Sequence, residues 1–253
     1  MSDITPKAYV CYRAASPIKI DGHLNDAPWK SAPYTDLFVD IEGDAKPLPR
    51  FATRAMMLWD DDFFYFAADM EEPHVWGTLT KRDSVICHDN DFEIFLDPDG
   101  DGEHYMEFEI NPLNAVWDLY LPKAYNKGGK ADHDWDFEGI RHAVQVDGTL
   151  NCADDTDRGW TVEVAIPWSS MTEHAGCDCP PKPDDQWRVN FSRVEWQYDY
   201  HKGGYLRREG VPCDNWVWSP QGAINMHIPE MWGRVQFSSM TAGQGQEKGD
   251  RAL

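Results

Sequence analysis

The stretch DFEIFLDPDGDGEHYMEFEIN, residues 91–111, reads as two strands of alternating polarity joined by an acidic turn. One side of the two strands is apolar and carries Phe92, Ile94, Leu96, Met106, Phe108 and Ile110. The other side carries Asp91, Glu93, Glu107, Glu109 and Asn111. The pattern predicts an antiparallel hairpin with one apolar face and one acidic face.

The acidic face needs a compensating group. Any register that keeps the apolar sides together sets Glu93 opposite Glu107 or Glu109, and facing like charges destabilise a strand pair. An arginine, a metal ion, a shared proton or a polar ligand would offset the repulsion. We expect Arg193, in NFSRVEW (190–196), to be the counter-charge, although alternation places Arg193 and Trp196 on opposite faces unless a bulge intervenes.

The rest of the chain predicts strands with turn residues between them. Nine strand-like runs occupy residues 52–59, 63–70, 91–96, 105–110, 115–121, 143–146, 159–166, 187–196 and 233–237. No long helical period occurs, and 17 prolines and 19 glycines punctuate the runs. We therefore predict an all-β fold, an antiparallel β-sandwich with long polar loops at 126–136 and 199–216. Residues 1–240 would form one domain, and 241–253 a disordered tail.

The net negative charge of the chain disfavours some classes of binding partner. Lysine and arginine number 23 against 44 aspartates and glutamates, which gives a formal net charge of −21. Such a chain repels phosphate backbones and anionic lipid surfaces, so we expect no nucleic-acid and no membrane partner. As given, the sequence has no signal peptide, which predicts a cytoplasmic protein unless a leader has been removed, so the location stays open.

Five motifs, in order along the chain, resemble those of the family 9 carbohydrate-binding modules. They are PIKIDGHLNDAPWKSAP (17–33), MLWDDDFFYFAADMEEP (57–73), NDFEIFLDPDGDG (90–102), GWTVEVAIPW (159–168) and WGRVQF (232–237). The resemblance implies a DOMON-like β-sandwich, structural calcium and recognition of sugars between two tryptophans. The implied partner is an oligosaccharide or a polysaccharide.

The sugar-binding residues of that family are only partly present. The ligand-bonding glutamate falls on Glu93, whereas the two flanking tryptophans fall near Cys87 and Met226, and the sugar-bonding arginine falls near Glu109. The resemblance therefore implies a kept scaffold with a rebuilt or lost sugar clamp. We expect the binding groups to be Glu93, Glu109, Asn111, Trp117, Arg193, Trp196 and Trp218, because carboxylates accept bonds from hydroxyls and indoles stack on sugar rings.

The acidic turn is a candidate calcium site. Asp97, Asp99, Asp101 and Gly102 follow the D-x-D-x-D-G spacing, which lets one loop fold three carboxylates around a hard cation. The match to an EF-hand stops there, because its bidentate glutamate would fall on Phe108. Glu72, before Pro73, corresponds by resemblance to a further calcium ligand. A solvated acidic turn and a solvated strand end are the alternatives.

Other functions stay open at this stage. A glycoside hydrolase needs two carboxylates flanking a bond, and Glu93 and Glu109 could supply them. An interaction protein without a sugar site would bury Trp196, Trp216 and Trp218 alike. The less favoured metal sites are zinc at EHAGCDC (173–179) and haem held by His88 or Met226.

Overall fold

The computed structural model describes residues 4–201 and 203–244. Its strands are β1 Ala8–Arg13, β2 Val39–Asp40, β3 Thr53–Trp59, β4 Phe63–Glu71, β5 Phe92–Asp97, β6 Glu103–Ile110, β7 Val116–Lys123, β8 Arg141–Asp147, β9 Gly159–Pro167, β10 Gln186–Glu195, β11 Tyr198–His201, β12 Gly204–Arg207, β13 Asp214–Val217 and β14 Gly233–Thr241. Two short α-helices, α1 Ala27–Ser31 and α2 Trp168–Met171, accompany four 3₁₀ turns at Gly43–Ala45, Ile86–His88, Tyr125–Lys127 and Pro229–Met231. None of the helices in this described part is long and apolar enough to cross a membrane.

Twelve of the strands form one curled sheet in the order β7-β6-β5-β10-β14-β1-β3-β4-β9-β8, with β13 pairing β10 and β2 beside this path. The main apolar core contains side chains from β5, β6 and β10 together with side chains from β3, β4 and β9. The predicted all-β sandwich is therefore confirmed. Most pairs are antiparallel, but β1 runs parallel to both β14 and β3.

All nine predicted strand segments are strands in the structure. The sequence patterns missed β1, β2, β13 and the small β11–β12 hairpin, which occupies part of the predicted loop 199–216. The predicted tail begins in regular structure, because β14 runs to Thr241. From residue 245 onward that tail lies outside the described residues.

The first of the five motifs, residues 17–33, is bonded to the sheet by one buried carboxylate. Glu163, on β9, accepts hydrogen bonds from the backbone N–H groups of Asp21 and Gly22 at 2.9 and 2.7 Å. Its other oxygen accepts from the indole Nε1 of Trp29 at 2.7 Å. Gly22 has a φ of +85°, and a Cβ there would meet the backbone of Val144 at 2.7 Å. The residues of the I-D-G…W pattern therefore serve to pack this segment against β9.

The β5–β6 hairpin has one of the two pairings that its pattern allows. Glu93 faces Glu109 directly, and Ile94 faces Phe108. The apolar side of the hairpin enters the main core, so the carboxylates all point to the opposite surface of the sheet. That surface carries the candidate site.

Candidate functional site

A pocket of about 530 Å³ lies over the acidic face of the hairpin. Glu93, Glu107 and Glu109 form its floor, while Trp117 and Trp196 line its sides. This size is typical of small-molecule sites, which are concave and hold a few polar groups among apolar walls. The structure therefore brings together two predicted carboxylates and two predicted tryptophans.

Strand register explains the dense negative charge of the floor. Glu93 on β5 faces Glu109 on β6, and Glu107 lies two residues from Glu109 on the same face. Asp91, just before β5, shares that face, and its Oδ1 accepts from the N–H of Val194 at 3.0 Å. The four carboxylates have exposed fractions between 0 and 5 %. They are almost completely removed from water, so their mutual repulsion is weakly screened and strong.

Burial governs the protonation of these groups. Desolvation raises the pKa of Glu93 to about 7. Desolvation and then repulsion from neighbouring carboxylates raise the pKa of Asp91, Glu107 and Glu109 well above the usual range. Burial also lowers the pKa of His227, another lining residue, to about 4, so its imidazole is neutral at pH 7. Among the described residues that line the pocket there is no lysine or arginine.

Both side-wall tryptophans are half-buried and have one face occupied. The ring of Trp117 stacks on His133 with centroids 5.4 Å apart. The Arg207 guanidinium lies over Trp196, 3.8 Å from its ring centroid. The Trp196 indole N–H also donates to the carbonyl of Cys87 at 2.9 Å, which fixes the ring. A ligand that stacks on either indole would use the opposite face.

Two segments far apart in the chain complete the pocket. Tyr125 comes from the 3₁₀ turn after β7, and residues 224–227 come from the loop before β14. Trp232 donates its indole N–H to the carbonyl of Met226 at 2.8 Å, and the hydroxyl of Tyr105 lies 2.9 Å from Nδ1 of His227. These bonds hold the second segment against the sheet.

Arg193 does not line this pocket, so it does not neutralise Glu93 and Glu109. Its fully buried guanidinium pairs with Glu72 at 2.8 Å and with Glu195 at 2.9 Å. It also donates to the hydroxyl of Thr53 at 2.9 Å. Alternation along β10 explains this placement: Arg193 points with Phe191 toward the interior, whereas Trp196 lies at the pocket.

Two further predicted ligand-binding residues have structural partners instead of pocket contacts. Trp218 is buried in the main core and packs edge-on against Tyr9. Asn111 is fully buried, and its amide donates to the carbonyl of Leu79 and to Asp89 at 2.8 and 2.9 Å. Its side-chain oxygen caps the turn that follows β6. Neither residue lines the pocket.

The three aspartates of the acidic turn do come together. Their carboxylate oxygens lie within 4.8 Å of one another. Asp97 accepts from the N–H groups of Gly100 and Gly102 at 3.1 Å each, and burial raises its pKa to about 7. Glu72 is not part of this group, because its carboxylate pairs with Arg193.

The structure also places the residues of the remaining alternatives. Within residues 4–201 and 203–244, the ligand-spaced groups do not include His174, Cys177 and Cys179. His88 and Met226 both line the pocket, where the acidic floor suits a porphyrin poorly. Trp216 and Trp218 are buried but Trp196 is not, which is not the pattern expected of a protein without a sugar site.

Alternation places Asp91 and Glu107 on the acidic face with Glu93 and Glu109, although neither is among the expected binding residues. Glu107 lines the pocket, and Asp91 lies beside the floor without lining the cavity. Cys213, Ile224 and His227 reach the pocket from distant loops, and no sequence pattern signals this.

Comparison with protein families adds an independent finding. The family described as carbohydrate family 9 binding domain-like matches residues 20–197. Exoglucanase XynX of Acetivibrio thermocellus is 27% identical over 119 residues, 47% of this chain and 9% of that protein. Endo-1,4-beta-xylanase A of Thermoanaerobacterium saccharolyticum is 27% identical over 126 residues, 49% of this chain and 9% of that protein. The match therefore spans less than a tenth of these enzymes.

Solved structures share the fold. A crystal structure described as a putative carbohydrate-binding protein from Bacteroides uniformis has a TM-score of 0.67 at 14% identity, and covers 92% of this chain and 100% of its own. A family 9 carbohydrate-binding module from Caldicellulosiruptor kristjanssonii, in complex with glucose, has a TM-score of 0.58 at 15% identity, with coverages of 92% and 96%. Its cellotriose complex has a TM-score of 0.55 at 14% identity, with coverages of 97% and 97%.

Proposed function

The chain belongs to the carbohydrate family 9 binding domain-like family, and on that basis we propose that it is a non-catalytic carbohydrate-binding domain whose site is the acidic pocket. One observation carries the proposal: Glu93, Glu107 and Glu109 form a floor between Trp117 and Trp196 in a cavity of about 530 Å³. Carboxylates accept bonds from sugar hydroxyls, and indoles pack against the C–H faces of sugar rings.

Charge and size support a short saccharide as the ligand. The net charge of −21 disfavours nucleic acids and anionic membranes, whereas neutral hydroxyl donors approach such a surface freely. The volume of the pocket, about 530 Å³, is in the range of sites that enclose a small molecule. The ligand is therefore an oligosaccharide, or the accessible end of a polysaccharide.

We further propose that the acidic turn binds calcium. Asp97, Asp99 and Asp101 offer convergent oxygens between β5 and β6. An ion there would stabilise the hairpin that carries the pocket floor. Because Glu72 is held by Arg193, we do not include it among the ligands.

A glycoside hydrolase is the second candidate, favoured by the raised pKa of Glu93. Retaining enzymes place an acid and a nucleophile across the scissile bond, with carboxyl groups about 5 to 5.5 Å apart. Here Glu93 and Glu109 lie side by side on adjacent strands, and burial disfavours the ionised form of both. This arrangement suits hydroxyl recognition better than nucleophilic attack.

The test begins with a glycan array at pH 8, repeated with calcium and with chelator. For each glycan that binds, titration calorimetry compares the wild type with Glu93→Gln. The variant keeps the shape but loses the charge-assisted bonds, so we expect a loss of about 1.5 to 3 kcal/mol in binding free energy. Glu138→Gln, a substitution of an exposed glutamate outside the pocket, should bind as the wild type does.

Two results would contradict the proposal. One is the absence of any bound glycan, and the other is equal affinity in the wild type, Glu93→Gln and Trp196→Ala. Release of reducing sugar from a bound glycan, abolished in Glu93→Gln, would favour the hydrolase instead.

A further inference from the structure

The floor of the pocket contains a set of oxygens with the spacing of a metal site. Carboxylate oxygens from Asp91, Glu93 and Glu109 lie within 4.8 Å of one another. All three residues are buried, with exposed fractions of 0, 5 and 3 %. They are held by the β5–β6 ladder and by the bond from Val194 to Asp91, so their convergence is part of the sheet.

Two buried oxygens at this floor have no hydrogen-bond partner. One is Oε2 of Glu107, which lines the pocket beside the cluster but is not one of its three members. The other is Oδ2 of Asp91. A buried carboxylate oxygen without a donor costs free energy, and a cation bound beside it would offset that cost.

The nearby arginine side chains have partners outside the cluster. Arg193 pairs with Glu72 and Glu195 inside the sandwich. Arg207 donates to the carbonyl of His88 and lies over the ring of Trp196. Since no lysine or arginine among the described residues lines the pocket, the protein itself supplies no positive charge to four adjacent carboxylates.

We propose that Asp91, Glu93 and Glu109 bind a divalent cation at the base of the pocket, with Glu107 beside it. Calcium fits best, because it takes oxygen ligands at about 2.3 to 2.6 Å, which allows ligand oxygens up to about 5 Å apart around one ion. Its preference for six to eight ligands leaves positions open toward the cavity. Two adjacent hydroxyls of a bound saccharide would fill them, a step that rests on the proposed function.

This site is separate from the acidic turn. Asp91 directly precedes β5 and Asp97 ends it, so the two residues are about 20 Å apart at the rise of an extended strand. The turn aspartates accept backbone N–H groups within their own turn, whereas in the pocket cluster Asp91 accepts from Val194 and Glu109 accepts from Cys87, both at 3.0 Å. The pocket cluster can therefore be tested while the turn is disabled.

The test uses the full chain, stripped with chelator, in an Asp99→Asn/Asp101→Asn background at pH 8. Terbium ions are added and their luminescence is excited through the indoles, since Trp117 and Trp196 line the pocket. We expect about one sensitised ion per chain, displaced by calcium. Adding Glu93→Gln and Glu109→Gln should abolish the signal, while adding Glu138→Gln should leave it unchanged. Circular dichroism and the melting temperature show that each variant is folded.

Two results would overturn the proposal. One is that terbium and calcium bind the background variant and its Glu93→Gln/Glu109→Gln derivative equally well. The other is that neither ion binds the background variant. Both readouts are taken without saccharide, so their failure leaves the proposed function intact. If glycans bind equally well in calcium and in chelator, the coordination of sugar hydroxyls by the ion is refuted while carbohydrate binding stands.

Discussion

Substituting Glu93 by glutamine should stabilise the metal-free protein at alkaline pH. Glu93 is almost fully buried and faces Glu109 across the strand pair. Glutamine has nearly the same shape, carries no charge and can donate to the neighbouring carboxylates. The substitution therefore removes the cost of ionising a buried group without opening a cavity.

The pKa of Glu93 sets the size and the pH dependence of this effect. Desolvation raises it from 4.5 to about 7 in the folded chain. Below pH 4.5 the carboxyl is protonated in both states, so it does not lower stability. Between pH 4.5 and 7 the unfolded chain releases the proton while the folded chain keeps it, and stability falls as pH rises. Above pH 7 the loss is constant at about 3 kcal/mol.

Urea unfolding in chelator, at pH 4 and at pH 8, measures the difference between wild type and Glu93→Gln. At pH 8 the variant should be more stable by about 3 kcal/mol, which corresponds to about 6 to 12 °C in melting temperature. At pH 4 the two should be nearly equal. Because Asp97 also has a pKa raised to about 7, only this difference isolates Glu93. Equal stability at pH 8, or the same gain at both pH values, would refute the reasoning.

Two further predictions concern the charged groups away from the pocket. Arg193→Leu should lower the free energy of unfolding by about 3 to 5 kcal/mol, because it leaves buried Glu72 without a counter-charge and buried Glu195 with only Arg50, 4.0 Å away. Arg158→Leu, which breaks an exposed pair, is the control and should cost about 1 kcal/mol or less by urea unfolding. Calcium should raise the melting temperature through the acidic turn, and Asp99→Ala should reduce that rise, since an ion that binds only the folded chain stabilises it. A calorimetric scan showing the same calcium-dependent rise in Asp99→Ala would remove the turn site.

Alternation of apolar and polar residues predicts the structure best where one face of a strand is buried. In the β5–β6 hairpin it predicted the inward residues and the common side of the acidic groups, whereas the structure selects Glu109 over Glu107 as the residue that faces Glu93. It also separated Arg193 from Trp196 correctly. A period of two determines the face of a strand, and these results depend on nothing else.

Alternation does not predict contacts between residues that are far apart in the sequence. Arg193 meets Glu72 across 121 residues of chain, and only the folded sheet makes that contact. Trp196 directly follows β10 and Trp218 directly follows β13, yet Trp196 lines the pocket and Trp218 lies in the core. Strand β1 was missed because apolar Val10 lies on its outward side between the buried Tyr9 and Cys11, so these residues show no alternation of apolar and polar side chains.

The parallel seam between β1 and β14 has a consequence for biosynthesis. During translation β1 is made near the start of the described chain, and its partner β14 follows only after more than 200 further residues, about 10 to 40 seconds later at ordinary elongation rates. Until then β1 and β10 each present a free edge, and such edges recruit strands of other chains. A chain truncated before Gly233 keeps both edges open permanently, so we expect it to associate, and size-exclusion chromatography of that fragment would show whether it does.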